Sequence, residues 1–89
     1  MKVALVCYDK PGKLSLRLET REAHLAYADE TGKTLMAGPF LDEQGKMCGS
    51  LVVLNVADLA EAEDWVANDP YAKAGLFDSV TIREWKQVV

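Results

Sequence analysis

His24 is the only histidine of the chain, and imidazole is the one side-chain type here that both gives and takes a proton near neutral pH. A carboxylate bonded to one ring nitrogen would fix the tautomer and leave the other nitrogen as a general base or acid. Asp69, which lies in the turn-forming sequence Asn68-Asp69-Pro70, is the carboxylate that we expect beside it. The residue types predict a catalytic His24 and Asp69, although such a histidine is more often a packing residue and such an aspartate a turn or cap.

Three further side chains could contact a small ligand held at this pair. Arg21, one helical turn before His24, could pair with a substrate carboxylate, although an exposed salt bridge to an acidic neighbour is the simpler reading. Ser50 could donate a hydrogen bond to a ligand or could satisfy the local backbone. Tyr71 follows Asp69 closely and is the aromatic residue that we expect to line a pocket, where the alternative is a core position.

Hydrophobic periodicity outlines the elements that must position these residues. Strands are expected over residues 2–8, 33–40, 48–56 and 77–85, and helices over residues 16–31 and 58–68. This β-α-β-β-α-β order predicts a ferredoxin-like α+β fold, with two helices on one face of a four-stranded antiparallel sheet. The length of 89 residues predicts a single domain over residues 1–89. In this topology the second helix ends where the first begins, so His24 and Asp69 should lie at the same end of the sheet.

The helix boundaries and buried faces can be predicted as well. The first helix should bury an apolar stripe through Leu18 and Leu25 and should end at Gly32. Asp58, three residues before Glu61, should cap the second helix. Asn68 should end that helix in the left-handed conformation.

The first and third strands are apolar on both faces, so the face of the sheet without helices needs a cover. The simplest cover is a second copy of the same sheet, which predicts a homodimer packed through the sheet face. The alternative is a monomer that exposes a few apolar side chains.

Composition excludes several classes of function. A net charge of −4 with ten Lys and Arg argues against nucleic-acid binding. No apolar run approaches the roughly 20 residues of a membrane span, and the N-terminal segment turns polar too soon for a signal peptide, which predicts a cytoplasmic protein. Cys7 and Cys48 are expected to be reduced, buried thiols rather than ligands of a metal. The absence of a glycine-rich phosphate loop indicates that no nucleotide cofactor is needed.

Short segments along nearly the whole chain resemble those of one known family, the YCII-related (YciI-like) proteins. The segments that carry the resemblance are residues 21–27, Gly32-Lys33, Ala37-Gly38-Pro39, Gly49-Ser50, Asp69-Pro70-Tyr71 and Ala74-Gly75-Leu76. The family is similar to muconolactone-isomerase-like proteins. The resemblance implies a ferredoxin-like fold assembled as a dimeric α+β barrel and a His-Asp active site, which matches His24 and Asp69.

The resemblance also implies a class of chemistry. We expect a small-molecule acid-base enzyme, an isomerase, lyase or hydrolase, that acts on a small carboxylic acid or lactone through the His-Asp dyad. The alternative is a non-catalytic dimeric module that binds a small acid without turning it over.

Overall fold

The computed structural model describes residues 1–89. Four strands, β1 Lys2–Asp9, β2 Thr34–Leu41, β3 Met47–Asn55 and β4 Phe77–Glu84, form one antiparallel sheet in the order β2-β3-β1-β4. Helix α1, Leu14–Thr31, and helix α2, Leu59–Asn68, pack on one face of this sheet, and a short helix α3, Pro70–Lys73, follows α2. The predicted ferredoxin-like α+β fold is confirmed. None of these helices has both the length and the apolar character that crossing a bilayer requires.

The core lies between the helices and the two central strands, because alternate residues of β1 and β3 point to the helix side. The buried core cluster consists of Val3, Leu5, Cys7, Val52, Leu54, Val56, Ala62 and Trp65. Both cysteines are free thiols as expected, but Cys48 is only half-buried, whereas Cys7 is buried.

The ends of the helices follow local chemistry in two of three predicted cases. Gly32 ends α1 in the left-handed conformation with a φ of 63°, and the Asp58 carboxylate accepts the backbone N–H of Glu61 at 2.9 Å to cap α2. The prediction for Asn68 is wrong, since no residue other than glycine has a positive φ. Asn68 is the last helical residue, and Asp69 leaves the helix in an extended conformation because the following Pro70 disfavours the helical one.

The buried face of α1 also differs from the predicted one. Leu18 and Leu25 remain about half exposed, at 53% and 48%, whereas the buried residues of the helix are Arg17 and His24. Burial of these two polar side chains is possible because each has a carboxylate partner inside the fold, which offsets the loss of hydration. The face of α1 that meets the sheet is therefore polar where the site lies.

Candidate active site

The structure brings His24 and Asp69 into direct contact. His24 Nδ1 lies 2.8 Å from Asp69 Oδ1, and both side chains are more than nine-tenths buried. An ionised carboxylate can only accept, so Nδ1 carries the hydrogen and donates it to Asp69. His24 Nε2, which has no partner in the protein, is the ring nitrogen that remains for a ligand.

Each member of this pair is held by its surroundings. The Asp69 carboxylate also accepts the backbone N–H of Tyr71 at 3.1 Å, which places it at the start of α3. The Tyr71 ring stacks on the imidazole of His24, with ring centres 4.1 Å apart and planes at 16°, while Trp65 meets His24 edge-on at 6.5 Å. These contacts fix both the position and the tautomer of the imidazole.

A cavity of about 130 Å³ lies beside the imidazole, between α1 and the β2-β3 side of the sheet. Its walls are formed by Arg17, Arg21, His24, Leu25, Ala37, Gly38, Pro39, Met47, Ser50, Val52 and Tyr71. Four of the five predicted site residues are in this list, and the fifth, Asp69, lies behind His24. No carboxylate is part of the wall, so the cavity presents positive charge and hydrogen-bond donors.

The two weaker candidates can be placed in detail. Arg21 is exposed at the rim and forms no salt bridge, so the acidic neighbour proposed in the simpler reading is not in contact. The Ser50 hydroxyl is buried and accepts a hydrogen bond from Arg17 Nη2 at 2.9 Å, and it makes no bond with the local backbone. Its own hydrogen is thereby free to be donated to a ligand.

Sequence reasoning missed Arg17 and its partner Asp9. Arg17 Nε and Nη2 donate to the two carboxylate oxygens of Asp9 at 2.7 and 2.9 Å, which is the bidentate geometry of a strong ion pair. A signal was present, because Arg17, Arg21 and His24 follow one another at helical spacings of four and three residues and so share one face. A polar stripe of this kind is easily taken for a solvated face.

The buried charges alter the proton affinities of neighbouring groups. Burial alone would lower the pKa of Arg17, but the hydrogen bonds and charge of Asp9, with the neighbouring Tyr71, outweigh it and leave the pKa above its ordinary value. Burial raises the pKa of Tyr71, against the opposing charges of Arg17 and Arg21. Burial, assisted by the charge of Asp69, raises the pKa of the Cys7 thiol to about 12, so this thiol stays protonated under the site.

The fold and the site together define a class: a ferredoxin-like domain with a buried His-Asp pair at a small cavity and no group of three or more His, Cys, Asp and Glu arranged to hold a metal ion. The YCII-related domain matches residues 1–86, and the chain belongs to that family. It is similar to an uncharacterised protein of Haemophilus influenzae (33% identity) and to the protein YciI of Escherichia coli O6:H1 (32%), with 99% of both chains covered in each case.

Solved structures of other proteins share the fold of this chain. The chain is similar to 5-chloro-2-hydroxyhydroquinone dehydrochlorinase (TftG) from Burkholderia phenoliruptrix AC1100, solved in complex with 2,5-dihydroxybenzoquinone, at 32% identity and a TM-score of 0.89, over 99% of this chain and 96% of that one. An antibiotic biosynthesis monooxygenase shares the fold alone, at 14% identity and a TM-score of 0.61, over 99% and 98% of the two chains.

Proposed function

We propose that this protein is a cytoplasmic small-molecule acid-base enzyme that uses His24 as its proton-transfer group and Asp69 as the group that orients it. The observation that carries the proposal is the 2.8 Å contact between His24 Nδ1 and Asp69 Oδ1 at the wall of a cavity. In this arrangement Nε2 is left for the substrate, and the carboxylate stabilises the imidazolium that forms when Nε2 takes a proton.

The substrate class that fits is a small ring-derived acid or lactone, or a hydroxylated ring. The cavity has the size of a single ring, and its wall combines apolar residues with the donors of Arg17, Ser50 and Tyr71. The similarity to TftG, a dehydrochlorinase solved with a dihydroxybenzoquinone, supports elimination from such a ring as the reaction to test first.

The proposed elimination balances without a cofactor. On a hydroxylated aromatic ring, one hydroxyl first loses its proton to become a carbonyl while the carbon that bears the leaving group gains a proton from solvent, so that this carbon becomes tetrahedral in the keto tautomer. His24 Nε2 then removes a proton from a second hydroxyl, or from a carbon next to a carbonyl, and the electron pair released shifts through the ring to form a new double bond. The leaving group departs from the tetrahedral carbon with the electron pair of its own bond. The imidazolium, held by Asp69, then returns its proton to solvent.

The test uses 5-chloro-2-hydroxyhydroquinone as substrate and measures chloride release together with the absorbance of the quinone product. We expect His24→Asn to lower kcat about 10²- to 10⁴-fold, the usual contribution of a general base, and Asp69→Asn to lower it as well because the carboxylate no longer selects the tautomer. Glu22→Gln, an exposed change on the same helix, is the matched control and should keep full activity. Undiminished turnover by His24→Asn would refute the dyad.

The same assay separates the enzyme from a binding module. A wild-type protein that binds 2,5-dihydroxybenzoquinone, seen as a rise in melting temperature, but turns over no small acid, lactone or chlorinated hydroxyhydroquinone would favour the non-catalytic alternative.

We also propose that the protein is a homodimer packed through the open face of its sheet. On that face Tyr8 (52% exposed), Met36 (50%) and Leu51 (37%) leave apolar surface in water, and Tyr8 stacks on Phe40 with ring centres 5.6 Å apart. Light scattering at micromolar concentration should give the mass of two chains, and Leu51→Glu should shift it to one chain. A wild-type protein that runs as a clean monomer would contradict this proposal.

A further inference from the structure

Arg17 is an unusual residue in this fold because its charged group lies inside the protein and yet forms part of the cavity wall. Its side chain is 3% exposed, and that of its partner Asp9 is 6% exposed. An ion pair at this depth loses most of its hydration, which the mutual attraction only just offsets. A buried arginine on a cavity wall therefore calls for a reason beyond stability.

The guanidinium is held so that one edge stays unused. Nε and Nη2 donate to Asp9, and Nη2 also donates to the Ser50 hydroxyl, while none of the hydrogen bonds of the structure involves Nη1. The guanidinium carbon lies 4.7 Å from the centre of the Tyr71 ring, which restricts the planar group from another direction. These contacts orient the guanidinium rigidly. The side chain of Tyr71 is also a hydrogen-bond partner of the guanidinium in setting its pKa, so at least one of the two Nη1 donors is left for a ligand.

The charge of the cavity wall points to the sign of that ligand. Two arginines and His24 contribute to the wall without any carboxylate, and the two carboxylates of the site, Asp9 bonded to Arg17 and Asp69 bonded to His24, lie behind the wall and leave only cationic and donor groups facing the cavity. Arg21 is exposed, so water and salt screen its field. Arg17 is shielded from both, and a hydrogen bond from it to an anion is correspondingly stronger.

We propose that Arg17 is the substrate anchor of this site, that Asp9 and Ser50 are the positioning residues that hold its fork, and that the substrate is therefore a ring bearing an anionic oxygen, as a carboxylate, enolate or phenolate. The inference rests on the proposed function for the identity of the site. Arg17, which is less exposed than Arg21, thus takes the role of binding the substrate anion that the sequence suggested for Arg21.

The test measures binding, and it needs no turnover. Benzoate and benzamide have the same shape and differ in charge, so their dissociation constants can be compared by calorimetry on the wild-type protein. A charged hydrogen bond predicts that benzoate binds about 10- to 100-fold more tightly. Arg17→Met should abolish that preference, whereas Arg21→Met, the matched loss of a rim arginine from the same helix, should change it less than about twofold.

A second measurement covers the case in which Arg17→Met fails to fold. In the wild-type protein, benzoate should shift the Nε resonance of Arg17 in a nitrogen NMR spectrum, and benzamide should leave it in place. Equal binding of the two ligands, a preference that survives in a folded Arg17→Met protein, or a benzoate shift confined to Arg21 would each overturn the assignment. A dyad that fails in the turnover assay leaves the benzoate preference untouched, so the two proposals can fail separately.

Discussion

The bidentate pair between Arg17 and Asp9 offers the sharpest test of how this fold tolerates charge in its interior. Asp9→Asn keeps the shape of the side chain but replaces a carboxylate that accepts two hydrogen bonds, at 2.7 and 2.9 Å, with a neutral amide. Arg17 would then remain 2% exposed with its charge uncompensated. Arg17→Met creates the reverse situation, a buried carboxylate without its cation.

The size of the effect follows from the burial of both partners. Breaking a buried ion pair by removing one member costs about 3–5 kcal/mol, because the remaining charge is left dehydrated. A domain of this length has a total free energy of unfolding of roughly 4–13 kcal/mol. Each single change should therefore remove a large part of the stability. The double variant Asp9→Asn/Arg17→Met should lose much less free energy of unfolding than the two single variants lose together. We expect a coupling energy of about 2 kcal/mol or more between the two changes.

Urea unfolding followed by tryptophan fluorescence measures all four proteins of this cycle, since Trp65 is buried in the core and reports its opening. Protein concentration must be held constant, because any dimerisation adds to the apparent stability. Single variants that each lose less than about 1 kcal/mol, with additive effects, would show that the pair behaves like an exposed salt bridge and would refute the reasoning.

Three further outcomes can be checked on the same unfolding assay. Gly49→Ala should cost about 1–3 kcal/mol, because its Cβ would overlap the carbonyl oxygen of Cys7, whereas Gly38→Ala, which meets nothing nearby, is the control. Asp58→Ala should cost about 1 kcal/mol through loss of the α2 cap, and an equal loss from the exposed Glu63→Ala would argue against capping as the cause. Because the pKa of Cys7 is raised in the folded protein, the thiol ionises at lower pH in the unfolded chain than in the folded one. The contribution of the protonated thiol to the free energy of unfolding is therefore complete below the ordinary pKa of 9.0 and is lost as the pH rises towards the folded pKa of about 12. The stability gap between wild type and Cys7→Ala should therefore narrow by about 1.4 kcal/mol at about pH 10, and a gap that is independent of pH would contradict the thiol's burial.

The order of elements and several boundaries were predictable because they depend on local chemistry. Alternating apolar residues define the strands, and Gly32 and Asp58 act within one turn of their own helix. The topology then places His24 and Asp69 at one end of the sheet. The exit from α2 was predicted wrongly at Asn68 because Pro70 acts on the residue before it more strongly than Asn68 favours the left-handed conformation.

The composition of the site was predictable only in part. The sequence by itself determined the fold class and the histidine-carboxylate candidate, since residue type and topology suffice for both. The tertiary structure decided which face of α1 is buried: Arg17 turns inward beside His24, and Leu18 and Leu25 stay outside. Hydrophobic periodicity assigns the buried face by the cost of hydrating apolar groups, but here a carboxylate at the end of β1 and another just after α2 offset the burial of Arg17 and His24. These contacts exist only once the fold has brought Asp9 and Asp69 to α1, so the hydrophobic pattern of α1 alone does not predict them.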